Sequence, residues 1–335
     1  VSVLTLGVLD QSPVRSGGSA ADSVHETLEL AQAVERLGYS RYWLAEHHAT
    51  PGLAGSCPEI LIGQVAARTS RIRVGSGGVM LSHYSALKVA EHFRMLELLF
   101  PGRIDLGIGR APGSDQRTAR TLRRVPEPTG AEFFPEQLAE LIAFLGDGVP
   151  AGHPAHGVRA MPEVTGAPEL WLLGSSDQSA MLAAHFGAAF SFAHFINGEG
   201  GAEITRAYTQ NFRPSPALPE PRASAAVFVV CADTEAEARR LARSRELFIL
   251  RLHSGRPGRY PSVEEAEAYP YTSHEMAMVE YNRQRTVAGA PEQVRARLTA
   301  MAADYGVNEL IVVTITHDPK ARLRSYELLA QAFEL

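Results

Sequence analysis

Three ionisable residues in a row, Glu46, His47 and His48, follow the apolar run "RYWLA" at residues 41 to 45. A carboxylate beside an imidazole is material for general acid–base chemistry, because imidazole exchanges protons near neutral pH. A metal site fits less well. Consecutive residues at a strand end point in opposite directions, and no H-E-x-x-H helix accompanies them. His47 and His48 are therefore expected to do different jobs, one facing a cavity and the other packing or hydrogen-bonding behind it. A nucleophilic triad is disfavoured as well, since the chain has no G-x-S-x-G elbow.

Three other segments carry chemistry of a compatible kind. In "VGSGGVM", residues 74 to 80, glycines surround Ser76, which implies either a bulge or bare backbone on which a flat ligand lies. Ser76, Gly77 and Gly78 are candidate contacts to such a ligand. In "LGIGRAPGSDQR" the Gly107 and Gly109 backbone lets an anion approach, and Arg110 offers the rigid fork of donors that suits phosphate. An ordinary surface ion pair is the plain alternative for Arg110. In "GSSDQSA" one of Ser175 and Ser176 caps a helix, whose free N–H groups combine with the hydroxyls of Ser175, Ser176 and Ser179 into a phosphate cup. Asp177 is compatible with that cup only if it points away. A phosphate at one end and a flat body over "GSGG" near "EHH" is the shape of flavin mononucleotide (FMN).

These four segments can cooperate only if one scaffold gathers them. Apolar strand-like runs, "VSVLTLGVL", "YWLA", "RIRVGSG", "RIDLGIG", "ELWLLG", "AAFSFA", "ASAAVFVVCA" and "ELIVVTI", alternate with helix-like stretches along the chain. Eight such units predict an α/β fold, a (β/α)8 barrel spanning residues 1–335 as a single domain, with the site at the carboxyl ends of the strands. A doubly wound nucleotide-binding sheet is the competitor. Gly107, Gly109 and Gly113 give G-x-G-x-x-x-G in place of G-x-G-x-x-G, however, and Pro112 stands where a helix would open. Residues 110 to 130 read as loops. Residues 253–285 read as a long loop inserted between strands seven and eight. This insertion is either a surface decoration or a lid in which Tyr260, Tyr269, Tyr271 and Met276 cover a ring.

Composition narrows the partners. The 335 residues are 45% hydrophobic and 21% charged with a formal net charge of -5, which argues against nucleic acid or an anionic membrane surface. Cys57 and Cys231 are too few for a disulfide framework or a thiolate metal site, as expected of a cytoplasmic protein. The first apolar run ends at Asp10 and reads as a buried strand, too short for a signal segment or a membrane span.

With "LDQSPVRSG", "EHH", "RIRVGSGGVML", "GRIDLGIGRAPG" and "ITHD", the chain resembles the bacterial luciferase-like flavin-dependent monooxygenases almost end to end. The resemblance implies a (β/α)8 barrel paired as a homodimer and using reduced FMN or, in a sister branch, the deazaflavin coenzyme. It implies that His47 is the active-site histidine; as a general acid or base His47 would be oriented by Glu46, unless Glu46 orients its neighbour. It also implies a non-prolyl cis peptide between Gly77 and Gly78, a phosphate-binding role for Arg110, and ribityl and phosphate contacts from Ser175, Ser176 and Ser179. The sequence departs from light-emitting luciferase at Gly109 and Ser175, where that enzyme's α subunit has cysteine and glutamate, so light emission is not implied. The expected activity is oxidation of a small organic substrate by reduced FMN and O2, the flavin being supplied by a separate reductase. Hydride transfer with deazaflavin, and flavin binding without turnover, are the alternatives.

Overall fold

Period-2 apolar patterns and helical apolar stripes resolve into one closed barrel. The computed structural model describes residues 4–110, 115–122 and 133–335. Its strands are β1 (Thr5–Asp10), β2 (Arg41–Leu44), β3 (Arg73–Ser76), β4 (Val79–Met80), β5 (Ile104–Gly109), β6 (Glu169–Gly174), β7 (Ala189–Ala193), β8 (Ala223–Cys231), β9 (Thr286–Gly289) and β10 (Glu309–Val313). Helices run between them: α1 (Ala20–Arg36), α2 (Pro58–Arg68), α3 (Ala86–Leu99), α4 (Gln116–Leu122), α5 (Phe134–Leu145) and α6 (Asp177–Phe186). The rest are α7 (Gly201–Asn211), α8 (Glu235–His253), α9 (Val263–Ala268), α10 (Ser273–Arg283), α11 (Pro291–Tyr305) and α12 (Pro319–Phe333).

The strands pair in parallel in the order β1-β2-β3-β5-β6-β7-β8, and β10 closes the ring by pairing with both β8 and β1. This is the expected (β/α)8 barrel. Two short strands are extra: β4 resumes the third strand after an interruption, and β9 pairs with the C-terminal half of β8, from Phe228 to Cys231. Alternation along each strand divides the core. Leu6, Val8, Tyr42, Leu44, Leu106 and Ile108 face the helices, while Leu9, Trp43, Trp171, Ala226 and Ile311 fill the barrel.

The amino-terminal end of the barrel is closed by charge. Arg41 donates to Asp105 at 2.6 Å and Glu309 at 2.8 Å, and Arg73 donates to the other Asp105 oxygen at 2.6 Å. Trp43 Nε1 donates to Asp105 at 2.9 Å, and Trp171 Nε1 to Glu169 at 2.7 Å. The Arg41 guanidinium lies 4.7 Å from the Trp171 ring centre. Gly7 makes room for it, because a Cβ there would come within 2.7 Å of Arg41 Cγ. Every buried charge in this floor has an opposite charge or a donor, which is the condition for burying it.

The interruption between β3 and β4 is a bulge. Gly75 pairs with Asp105 and Val79 with Ile108, so four steps along one strand face three along the other. Ser76 repairs the ladder: its hydroxyl donates to Gly107 O at 2.8 Å and accepts from Gly107 N at 3.0 Å. The Gly77–Gly78 peptide is cis.

Residues 253–285 differ from the loop expected of them. Ser262 caps α9 by accepting from Glu265 N, and Thr272 with Glu275 forms a capping box on α10. Both S/T-x-x-E signatures are present in the sequence, but the flanking Pro261 and Pro270 disguise them. Tyr260 is buried and stacks on Phe248 at 4.0 Å, while Tyr269 and Tyr271 pack on Leu247, Leu250, Ala266 and Val279. The loop expected over 110 to 130 contains α4; Pro112 and Gly113 lie outside the described residues. Among the described residues no helix is long and apolar enough to cross a membrane.

Candidate active site

A cavity of about 490 Å³ opens at the carboxyl ends of the barrel strands. Its wall is drawn from β1 (Leu9), β2 (Trp43), the bulge (Gly77, Gly78), β5 (Gly109), β6 (Leu173), β7 (Ser191) and β8 (Ala226). Glu46, His47, Arg110, Ser175, Ser176 and Ser179 also line it, so four segments far apart in sequence do converge. None of residues 253–285 lines it, and Tyr260, Tyr269 and Tyr271, which a lid would lay over a ring, are used in packing.

Ser76 does not reach the cavity. It is fully buried and both sides of its hydroxyl are taken by Gly107, so the candidate ligand contact is a ladder repair. Gly77 and Gly78 fit the wall because any Cβ would collide, at 2.4 Å with Leu9 Cδ1 and at 2.8 Å with Gly107 O respectively. The cavity therefore has bare backbone on this side.

The two histidines separate as their opposite directions require. His48 Nε2 is 2.7 Å from Glu46 Oε1, and the same carboxylate accepts from Met80 N at 2.9 Å and Tyr84 Oη at 2.6 Å. Glu46 thus orients His48 and pins β4. It has no hydrogen bond to His47 in this arrangement. The His47 backbone N–H donates to Gly55 O at 2.7 Å, while its buried Nδ1 has no partner. Burial pushes the His47 imidazole down to about 4, with His48 adding to the effect, so it is neutral at physiological pH.

On the opposite wall, Ser176 is the N-cap of α6 but makes no side-chain capping bond. Its hydroxyl lies 3.4 Å from that of Ser179, and Arg110 donates to Gln178 on the first turn of α6. Asp177 is exposed, accepts from Gln178 N at 2.7 Å and is not part of the lining. An arginine fork, three hydroxyls and an uncapped helix start are the donor set an anion needs. Among the described residues no group of three or more His, Cys, Asp or Glu side chains could hold a metal ion.

Other wall residues carry no sequence signal. Gln11, Trp43, Met80, Phe195 and Ile196 look like ordinary core or loop positions, and only closure of the barrel brings them to the mouth.

Residues 4–309 match the family described as luciferase-like monooxygenase. The N-acetyl-S-alkylcysteine monooxygenase of Bacillus subtilis (strain 168) is 40% identical over 332 residues, covering 98% of each chain. The crystal structure of apo-MsnO8 superposes with a TM-score of 0.91 at 43% identity, covering 99% of each chain. Two more distant structures share the fold. One is the oxygenating constituent of 3,6-diketocamphane monooxygenase of Pseudomonas putida in complex with FMN, with a TM-score of 0.71, 21% identity and coverage of 98% of this chain and 97% of that one. The other is an F420-dependent secondary alcohol dehydrogenase, with a TM-score of 0.72, 11% identity and coverage of 99% of each chain. By its match from end to end and by the barrel that frames this cavity, the chain belongs to the luciferase-like monooxygenase family.

Proposed function

We propose that the protein is an FMN-dependent monooxygenase that oxidises a small organic substrate with O2, receiving reduced flavin from a separate reductase. The observation that carries this reading is the pairing of an anion cup (Arg110, Ser175, Ser176, Ser179) with a side-chain-free wall (Gly77, Gly78) in one cavity beside His47. The FMN complex of a structural neighbour and the monooxygenase relative at 40% identity support it. Bound reduced flavin would supply the electrons and the site of reaction with oxygen.

The chain's own part is binding, orientation and exclusion of water. Arg110 and the three serines hold a phosphate, and the glycine wall lets a flat ring lie against backbone. Leu9, Trp43, Met80, Leu173 and Phe195 keep the surroundings dry. His47, neutral and lining the cavity, takes or returns a proton through the part of its imidazole that faces the ligand. Glu46 holds the wall through Met80 and His48 and moves no proton. The assembly is a homodimer: Ile60 on α2 and Met95, Leu98 and Leu99 on α3 are 64%, 46%, 47% and 59% exposed, an apolar face a partner copy would cover.

The test is titration of the purified protein with FMN and with deazaflavin coenzyme, followed by oxygen uptake with reduced FMN and N-acetyl-S-alkylcysteines as first substrates. FMN binding with oxygen use matched by product is the expected result. Preference for deazaflavin, or oxygen use without product across substrates, would overturn it.

A further inference from the structure

Residues 9 to 17, "LDQSPVRSG", carry the chain over the carboxyl end of β1. Asp10 accepts from Arg322 and from Ser12 N, each at 2.7 Å, and from Tyr42 Oη. Ser12 Oγ accepts from Thr27 at 3.0 Å, Arg15 donates to Glu26 at 2.6 Å, and Ser16 Oγ lies 3.2 Å from His317 Nε2 of "ITHD". The backbone is held as well: Val14 N donates to Gly52 O at 2.8 Å and Ser16 N to Tyr260 O at 2.7 Å. Gln11 is the exception. Among the described residues its carboxamide has no hydrogen-bond partner, although Gln11 is half-buried and lines the cavity.

Alternation along the chain aims Gln11. The Asp10 and Ser12 side chains reach Arg322 and Thr27 on helices outside the barrel, so Gln11 between them faces inward, on the side of Leu9. Ser12 makes the turn in the left-handed region, at φ 49°, a costly conformation for a residue with a Cβ that persists where its surroundings impose it. Here Asp10 holds Ser12 N, and Ala54 N donates to Ser12 O at 2.8 Å. A strained turn and a buried ion pair thus fix the backbone on both sides of Gln11.

Gln11 stands across the ring from the anion cup, since β1 and β6 are four strands apart in either direction. The register of Asp10 with Leu44 sets Gln11 beside Ala45, and Ala45 and His47 line the cavity with it. The other polar side chains on this side are used by the fold. Glu46 accepts from Met80 N, Tyr84 and His48, and Trp43 Nε1 donates to Asp105. The cup opposite is made of donors, so Gln11 Oε1 is the strong uncharged acceptor that a ligand meets beside His47.

We propose that Gln11 is a substrate-binding residue whose Oε1 accepts from the N–H of a secondary amide on the substrate and so positions the molecule beside His47. This role rests on the oxygenase reading, but the binding itself does not require turnover. An amide N–H is a neutral donor that matches a neutral acceptor, and the half-buried carboxamide gains the partner that the fold does not give it.

The probes are N-acetyl-S-methylcysteine and its analogue with an ester oxygen in place of the amide N–H, equal in charge and close in shape. Both are measured by calorimetry on FMN-loaded protein and on the protein without flavin. The parent should bind the amide about 5-fold more tightly than the ester, within the range of a neutral hydrogen bond. Gln11→Met should bring the two within about twofold, whereas Gln11→Glu, which keeps an acceptor, should retain the preference. The urea midpoint and FMN affinity should be the same in the parent and in Gln11→Met, because the side chain has no partner in the fold and stands away from the cup. Equal binding of the two probes by the parent, binding of neither, a preference that survives Gln11→Met or one that is lost in Gln11→Glu would overturn the assignment. Weakened FMN binding in Gln11→Met would overturn it by giving the contact to the flavin, and a lowered midpoint by giving it to the fold. Failure of FMN to bind any of the proteins, with the amide preference intact, would instead count against the flavin reading and leave Gln11 in its role.

Discussion

His48 is bound to Glu46 at 2.7 Å, whereas His47, its neighbour in the chain, lines the cavity and leaves its buried Nδ1 unpartnered. One imidazole is structural and the other is available. His48→Ala removes a donor from a buried carboxylate that also holds Met80 N and Tyr84 Oη. It should cost about 1–3 kcal/mol of stability, read as a lower urea midpoint, with flavin affinity retained. An unchanged midpoint with lost turnover would mean the two histidines have been assigned the wrong way round.

His47→Ala should keep the fold and flavin binding but lower turnover about 100-fold or more. It should also change how stability responds to acid. His47 is held near 4 against an ordinary 6.5, so unfolding takes up a proton between those values. The His47 contribution is fully present above about pH 6.5 and is lost as pH falls toward 4. Urea midpoints measured from pH 7 to 4.5 should therefore fall less steeply in His47→Ala than in the parent. Parallel curves would show that His47 protonates as freely in the fold as out of it.

Arg110→Ala should weaken FMN by about 1.5 to 3 kcal/mol, the usual worth of a charge-assisted contact. Riboflavin, which lacks the phosphate, should be nearly unaffected. Equal weakening of both in a fluorescence titration would return Arg110 to a surface role with Gln178.

Ser76→Ala should behave as a core mutation and not as a binding-site one. It leaves the Gly107 N–H and C=O without the hydroxyl they share, at a cost of about 1–3 kcal/mol. FMN affinity should stay within about twofold while thermal stability drops. A large loss of affinity at unchanged stability would restore the ligand contact.

Leu98→Glu with Leu99→Lys should convert a homodimer to monomers by placing charge on the exposed face of α3, where both side chains are at the surface. Light scattering at micromolar protein decides it. A parent that is monomeric at that concentration ends the proposal.

The barrel was legible because its signal repeats eight times and several helices carry readable start residues, such as Ser19, Thr234 and Asp318. Shorter pieces were not. β9 spans only Thr286–Gly289 and has no alternation long enough to read, and α9 and α10 hid behind Pro261 and Pro270. The lining of the cavity was legible where unusual residues follow a strand, as at Glu46, His47, Gly77, Gly78, Arg110 and the three serines. Ser76 shows the limit: a glycine-rich stretch announces a bulge, but which atoms repair it depends on the register with β5. The same limit applies to Glu46, since only the fold shows which imidazole it holds. Arg41, Asp105, Glu169 and Glu309 read as polar strand starts, and their union in the barrel floor is a consequence of closure alone.

That floor contains both of the chain's tryptophans, Trp43 and Trp171, with ring centres 5.2 Å apart. Trp43 also forms part of the cavity wall. The protein therefore carries one built-in optical probe with two faces. Its emission should respond to occupancy of the cavity above and to integrity of the charge cluster below, so a single ultraviolet signal can follow ligand binding at low temperature and opening of the barrel on heating.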